Sequence, residues 1–374
     1  MSFAKILDNL ALEKSRTVRQ FEQLIAPASP DAFEAMAQDA RLLTRRNFGR
    51  TMRLFAPLYL SNECVNNCKY CGFSRDNPIL RVTLDIGQVV AEARHLAAAG
   101  FRQILLVAGE HPKFVSGSYL LDCIRVLAPS FSSIAIEVGP MKRDQYEAIV
   151  AAGAEALVVY QETYDRQIYA EMHTAGPKRN FDWRLECPER GYEAGFKRIG
   201  LGALFGLARW QDEAMALAAH VDYLLKRCWQ AQISVSLPRL RPAAGGFQPS
   251  FTMSDRELAQ LICAFRITFP QVGLVLSTRE RATLRDALLP LGITAMSAGS
   301  HTEPGGYTGQ GAENLHQTLR GKIIAPDFEN GCDQLATGQF EISDQRTPEE
   351  IATVLRRQGI EPVWKDWDQA LLAS

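Results

Sequence analysis

The sequence contains no apolar run approaching the roughly 18 residues that a membrane-spanning helix takes, so a membrane-embedded protein is not expected. Its opening residues, MSFAKILDNLALEKSR, are broken by charge every few positions and lack both the apolar centre and the small-residue cleavage site of a secretion signal. Excess charge of one sign is missing too. The 41 basic and 42 acidic residues give a net charge of −1, so there is no global field for gripping phosphate backbones and nucleic acid is not an expected substrate. One local basic run, Arg41, Arg45, Arg46, Arg50 and Arg53, reads more readily as a solvated helix face than as a dock for an acidic partner. No low-complexity linker or internal repeat divides the chain. What these absences leave is a cytoplasmic globular protein, in which thiols stay reduced and grouped cysteines point to metal rather than to disulfides.

With 374 residues, 47% of them hydrophobic, the chain can bury a large core. Short apolar, β-branched runs at 56–62, 102–109, 133–139, 156–162, 198–204, 233–239, 273–278 and 293–299 alternate with helical patterns at 85–99, 117–127, 143–152, 182–194, 212–230, 255–269 and 279–288. Asp85, Asp212 and Asp255 stand where a helix N-terminus wants an acceptor side chain. Eight strand and helix repeats fit a closed α/β barrel of the (β/α)8 TIM type better than an open sheet. Residues 1–55 then form a helical N-terminal extension, 56–301 the barrel, and 302–374 a C-terminal extension packed on it, with the tryptophans of PVWKDWD anchoring the tail.

Five of the eight cysteines, Cys123, Cys187, Cys228, Cys263 and Cys332, are scattered singly and read as small buried hydrophobes. The other three, Cys64, Cys68 and Cys71, fall in CVNNCKYCGF directly after the first strand, at the barrel mouth where active sites of this architecture lie. A [4Fe-4S] cluster ordinarily takes four cysteines, so three in one loop leave one iron open. An open iron can be chelated by the amino and carboxylate groups of S-adenosylmethionine, whose sulfonium then accepts an electron and breaks its bond to the 5′ carbon. Zinc would want a fourth ligand at fixed spacing, and none of the six histidines pairs with the loop in sequence.

The other strand ends supply polar groups. Gly109 permits close backbone approach and Glu110 suits the ammonium of the methionine part, while Glu137, Gln161 and Glu162 can bind ribose hydroxyls. Arg184 can clamp a carboxylate, the glycines of GLGALFG leave room for adenine, and Tyr70 inside the cysteine loop joins the same cofactor set. Arg279 and Ser297 face the mouth from strands seven and eight, and a second arginine suggests an anionic substrate such as an amino acid. Tyr59 points into the barrel if Leu58 and Leu60 point out.

Taken with YQETY, SVSLPRLRP, STRE, GGYTG and the stretch from QFEISD to PVWKDWD, the chain resembles over nearly its whole length the 2-iminoacetate synthases, tyrosine lyases of the radical S-adenosylmethionine superfamily that serve thiamine thiazole formation. The resemblance implies a 5′-deoxyadenosyl radical that takes a hydrogen from the amino group of L-tyrosine. Cα–Cβ cleavage then gives 2-iminoacetate, p-cresol, 5′-deoxyadenosine and methionine. It further implies that Arg279 clamps the tyrosine carboxylate, that Tyr59 and Ser297 lie near its amine, and that the partners are thiazole synthase and an electron donor such as flavodoxin or ferredoxin. Hydrogenase-maturation relatives carry a second cysteine-bound cluster in a C-terminal extension. Here the tail holds Cys332 alone, which disfavours their chemistry.

Overall fold

Alternating burial along the longest extended segment sets the barrel wall: Leu58 and Leu60 pack under the outer helices while Tyr59 between them faces the interior. In the computed structural model, which describes residues 2–10, 12–324 and 335–364, eight parallel strands follow one another around the wall. They are β1 (Thr51–Ser61), β2 (Gln103–Ala108), β3 (Ser133–Glu137), β4 (Ala156–Glu162), β5 (Arg198–Ala203), β6 (Gln232–Ser236), β7 (Gly273–Leu276) and β8 (Ala295–Ser297). Pairing of Arg53, Leu54 and Phe55 with Ala295, Met296 and Ser297 closes β8 onto β1, so the (β/α)8 barrel expected from the repeats is formed.

The first strand begins at Thr51 rather than at residue 56, because β9 (Glu361–Val363) pairs with Thr51, Met52 and Arg53 beneath β2. The Arg102 amide donates to the Trp364 carbonyl, and the Trp364 ring meets Phe101 edge-on, which fastens the tail ahead of β2. Trp367 and Cys332 lie outside the described residues. Asp85 caps helix Ile86–Ala98 in a reciprocal capping box with Gln88, as its position suggested. Asp212 and Asp255 instead occupy first turns, behind Arg209 and the capping Ser254. There they still complement the helix dipole. The helix expected over 182–194 is broken into Phe181–Leu185 and Cys187–Glu193, since Pro188 enters the second piece where a helix can begin but not continue.

Helices Arg16–Ile25 and Pro30–Phe48 lie against helix Asp255–Thr268, where Phe21 meets Phe265 and Gln260 donates to the Leu24 and Ala26 carbonyls. Arg41, Arg45 and Arg46 are exposed on the second of these helices. At the opposite end, residues 335–346 cross the barrel mouth. Thr337 donates its amide to Leu80, Gln339 to Thr302, Glu341 to Pro242, and Ser343 to Thr278.

Candidate active site

The loop after β1 carries the three cysteines, and buried polar groups fix its shape. The Arg81 guanidinium, 2% exposed, donates to the carbonyls of Asn62, Phe73 and Ser74, so the loop backbone satisfies a buried charge. Asn77 donates to the carbonyls of Cys71, Gly72 and Ala244. Gly109 has its Cα against the loop: a β-carbon there would stand 2.3 Å from the Glu63 carbonyl oxygen. The Glu110 carboxylate accepts from Asn66 Nδ2 at 2.7 Å, and Asn66 Oδ1 accepts the Lys178 amide at 2.9 Å. Gly109 and Glu110 thus brace the loop from behind and stand outside the cavity wall.

Cys68 is buried; Cys64 and Cys71 are half-buried. Tyr59, Phe73 and Val107 pack around Cys64 and Cys71, and Tyr70, Met172, Leu204 and Leu207 around Cys68 and Cys71. Burial pushes all three thiols above their ordinary range. Cys123, Cys187, Cys228 and Cys263 are fully buried elsewhere, so no fourth described cysteine reaches the loop. Among the described residues no three His, Cys, Asp or Glu side chains surround a single ion, which is the arrangement zinc would require. Three soft donors in one apolar cradle fit an iron–sulfur cluster held by three irons.

Below Cys71 a cavity runs into the barrel. Its polar wall contains Tyr59, Tyr70, Glu137, Glu162, Arg279 and Ser297, six of the residues singled out in the sequence. The Arg279 guanidinium lies 3.4 Å from the centroid of the Phe340 ring, and among the described residues no carboxylate pairs with it. Ser297 Oγ accepts the Thr278 amide at 3.2 Å, and Tyr59 donates to Gln339 Oε1 at 2.8 Å. Tyr70 shares a 2.8 Å hydrogen bond with His173 Nε2.

Glu137 and Glu162 behave differently although they share the cavity. Burial, then the neighbouring Glu162, pushes the Glu137 carboxyl up to about 7. Burial acts on Glu162 in the same sense, but Lys178 at 2.7 Å and Arg184 at 3.6 Å hold it below the usual range. A bulge makes this possible: between Tyr160 and Glu162 the register with β5 slips by one residue, and Glu162 takes the left-handed φ of 73°. Gln161, absorbed in the bulge, has its amide buried with no hydrogen-bond partner among the described residues. Arg184 stands outside the wall, donating to the Tyr160 carbonyl at 2.7 Å. The room left by Gly202 is taken by the Tyr160 ring, which a β-carbon there would meet at 2.7 Å, rather than by open space for a ligand.

Sequence reasoning passed over Lys178, Tyr160, Gln339 and Phe340, all in the wall. Lys178, and Gln339 and Phe340 in the segment 335–346 that crosses the mouth, carry no local signal, because only the folded chain brings them there. Tyr160 was within view, two residues before Glu162 on the same strand.

Residues 58–219 match the radical SAM superfamily model and residues 236–361 the biotin and thiamin synthesis associated domain. The chain is 42% identical over 363 residues to 2-iminoacetate synthase of Escherichia coli K12, covering 96% of this chain and 90% of that protein. It is also 42% identical to 2-iminoacetate synthase of Salmonella typhimurium LT2 over 93% of this chain and 86% of that one. The solved structure of the FeFe-hydrogenase maturase HydG from Carboxydothermus hydrogenoformans superposes with a TM-score of 0.82 at 34% identity, covering 97% of this chain and 79% of that one.

Proposed function

The chain belongs to the 2-iminoacetate synthases of the radical SAM superfamily, and from that membership we infer that it is a lyase that cleaves the Cα–Cβ bond of L-tyrosine to 2-iminoacetate and p-cresol for thiamine thiazole synthesis. 5′-Deoxyadenosine and methionine are the co-products. The geometric observation that carries the reading is Arg279, a half-buried guanidinium over the Phe340 ring with no acidic partner among the described residues, in a cavity that begins at Cys71. Stacking holds the planar fork while leaving its N–H edge free for a carboxylate in bidentate fashion.

Cys64, Cys68 and Cys71 hold the [4Fe-4S] cluster, and Tyr70, Glu162 and Arg184 belong to the S-adenosylmethionine side of the cavity, with Gly109 and Glu110 shaping the loop behind it. When bound, the cofactor pair supplies a 5′-deoxyadenosyl radical that removes one hydrogen from the tyrosine amine. Arg279 takes the tyrosine carboxylate, and the hydroxyl oxygens of Tyr59 and Ser297 accept from its amine. Two polar anchors on one small molecule restrict its pose to the orientation in which the amine faces the cofactor. The apolar wall of Leu105, Leu258, Ile262, Leu274 and Ile293 receives the ring. Glu137 completes the polar girdle near Tyr59 and Tyr160, and Gln161 acts through the bulge that presents Glu162.

No helix among the described residues is long and apolar enough to cross a membrane. The reading places the enzyme in the cytoplasm, next to a thiazole synthase that consumes the unstable imine and a flavodoxin or ferredoxin that supplies the electron. A competition assay checks the substrate: reduced, cluster-replete protein offered equal L-tyrosine and L-tryptophan is expected to release p-cresol and no indole-derived product. Preferential cleavage of tryptophan would overturn the assignment.

A further inference from the structure

The strap over the barrel mouth touches both halves of the site through one side chain. The Gln339 backbone is fixed by its own amide donating to the Thr302 carbonyl and by its carbonyl accepting the Gly72 amide, each at 3.0 Å. Gly72 lies so close that a β-carbon there would stand 2.7 Å from the Gln339 oxygen. Held in this way, the side chain presents Oε1 to the Tyr59 hydroxyl at 2.8 Å and Nε2 to Cys71 Sγ at 3.9 Å.

We propose that Gln339 is a positioning residue that couples the substrate site to the cluster, orienting the Tyr59 hydroxyl while donating an N–H to the sulfur of Cys71. The amide has no freedom to reverse these roles at little cost, because a flip would set a carbonyl lone pair against the cysteine sulfur. Since Oε1 carries no hydrogen, the Tyr59 O–H must point at it, and the phenol oxygen keeps its lone pairs for the cavity. An acceptor is what the amine of an amino acid requires there. At the other end, an N–H aimed at a ligating sulfur favours the more negative, reduced form of a cluster and raises its potential. The effect on Tyr59 rests on the tyrosine-lyase reading; the effect on the sulfur does not.

Two variants separate the roles. Gln339→Met keeps the length and removes both polar groups, whereas Gln339→Glu keeps an acceptor for Tyr59 and removes the N–H donor. Redox titration of the reconstituted cluster, followed by EPR with neither S-adenosylmethionine nor tyrosine present, is expected to show a more negative midpoint in both variants than in the unaltered protein. In turnover, Gln339→Met is expected to raise the KM for tyrosine about tenfold, the loss of about one hydrogen bond, and to release more 5′-deoxyadenosine per p-cresol. Gln339→Glu should stay within a few-fold of the original KM. Unchanged midpoints at full iron content overturn the proposal. So does failure of both variants to load a cluster, which would make Gln339 a structural support of the loop. If the lyase reading itself fails, the unaltered protein makes no p-cresol while the shifted midpoints remain.

Discussion

Arg279 enters a cavity whose neighbouring cations are already paired. Lys178 and Arg184 share Glu162, so the guanidinium on Phe340 is the one aimed at an incoming carboxylate among the described wall residues. Arg279→Lys keeps the charge and loses the planar fork, and Arg279→Ala loses both. For the alanine variant a loss of about 3 kcal/mol, roughly a hundredfold in kcat/KM for tyrosine, is expected from removing a charge-assisted pair. The cluster's absorption spectrum should be unchanged, and its disappearance would mean that Arg279 supports the fold instead. Glu137 offers a second test at this scale. Its folded value of about 7 lies above the ordinary 4.5, so between them the folded chain keeps a proton that the unfolded chain has released. The group's contribution to stability is therefore complete below about 4.5 and is lost as pH rises through about 7. Glu137→Gln should flatten that part of the pH profile of thermal unfolding, leaving a smaller slope from Glu213, which burial also raises to about 7. An unaltered slope would show that the Glu137 carboxyl titrates near its ordinary value.

At the scale of elements, the cysteine loop and the strap depend on each other and on the strands beneath them. The loop needs Gly109 directly after β2, since a β-carbon would fall 2.3 Å from the Glu63 oxygen and 3.2 Å from Cys64 Cβ. Gly109→Ala is expected to cut iron and sulfide incorporation well below that of the unaltered protein while far-ultraviolet circular dichroism stays the same. Full incorporation would show that the loop yields easily. The strap ends in a buried ion pair, Arg285 with Asp344, both side chains wholly enclosed. Arg346 also donates to Asp344 and reaches Asp286. Asp344→Ala leaves the Arg285 charge buried with less compensation, and a destabilisation of about 3–5 kcal/mol is expected in urea unfolding. A change below about 1 kcal/mol would mean that water or a rearranged Arg346 fills the gap.

The strand pattern and the cysteine triplet were legible because both are local. Period-two burial marks Tyr59 as inward, and three thiols in one turn of loop need no tertiary knowledge to be seen as a group. Less local features were not. Tyr59 and Gln339 are 280 residues apart, so nothing near Gln339 announces that it meets a barrel residue. Lys178 sits in a single 3-10 turn, Pro177–Arg179, and only the bulge before Glu162 brings a carboxylate to it. The early start of β1 is likewise set by a partner from the far end of the chain. Gly109 and the glycines of β5 were recognised as places of close approach, but the approaching groups are the chain's own: the Glu63 backbone and the Tyr160 ring.

Seen as a whole molecule, the barrel and its C-terminal strap form one enclosure with the cluster loop at the mouth and Arg279 within the same cavity. Enclosure keeps water and stray hydrogen donors from reactive radicals, and the proposed two-point anchoring of tyrosine would decide which hydrogen is taken. Anaerobic turnover of the reduced, cluster-replete protein with S-adenosylmethionine and unlabelled L-tyrosine in D2O tests this most directly. The account predicts p-cresol and 5′-deoxyadenosine in equal amounts, with one deuterium from the exchanged amine in the deoxyadenosine methyl group. Deoxyadenosine formed equally well without an amino acid, with no p-cresol, would contradict it.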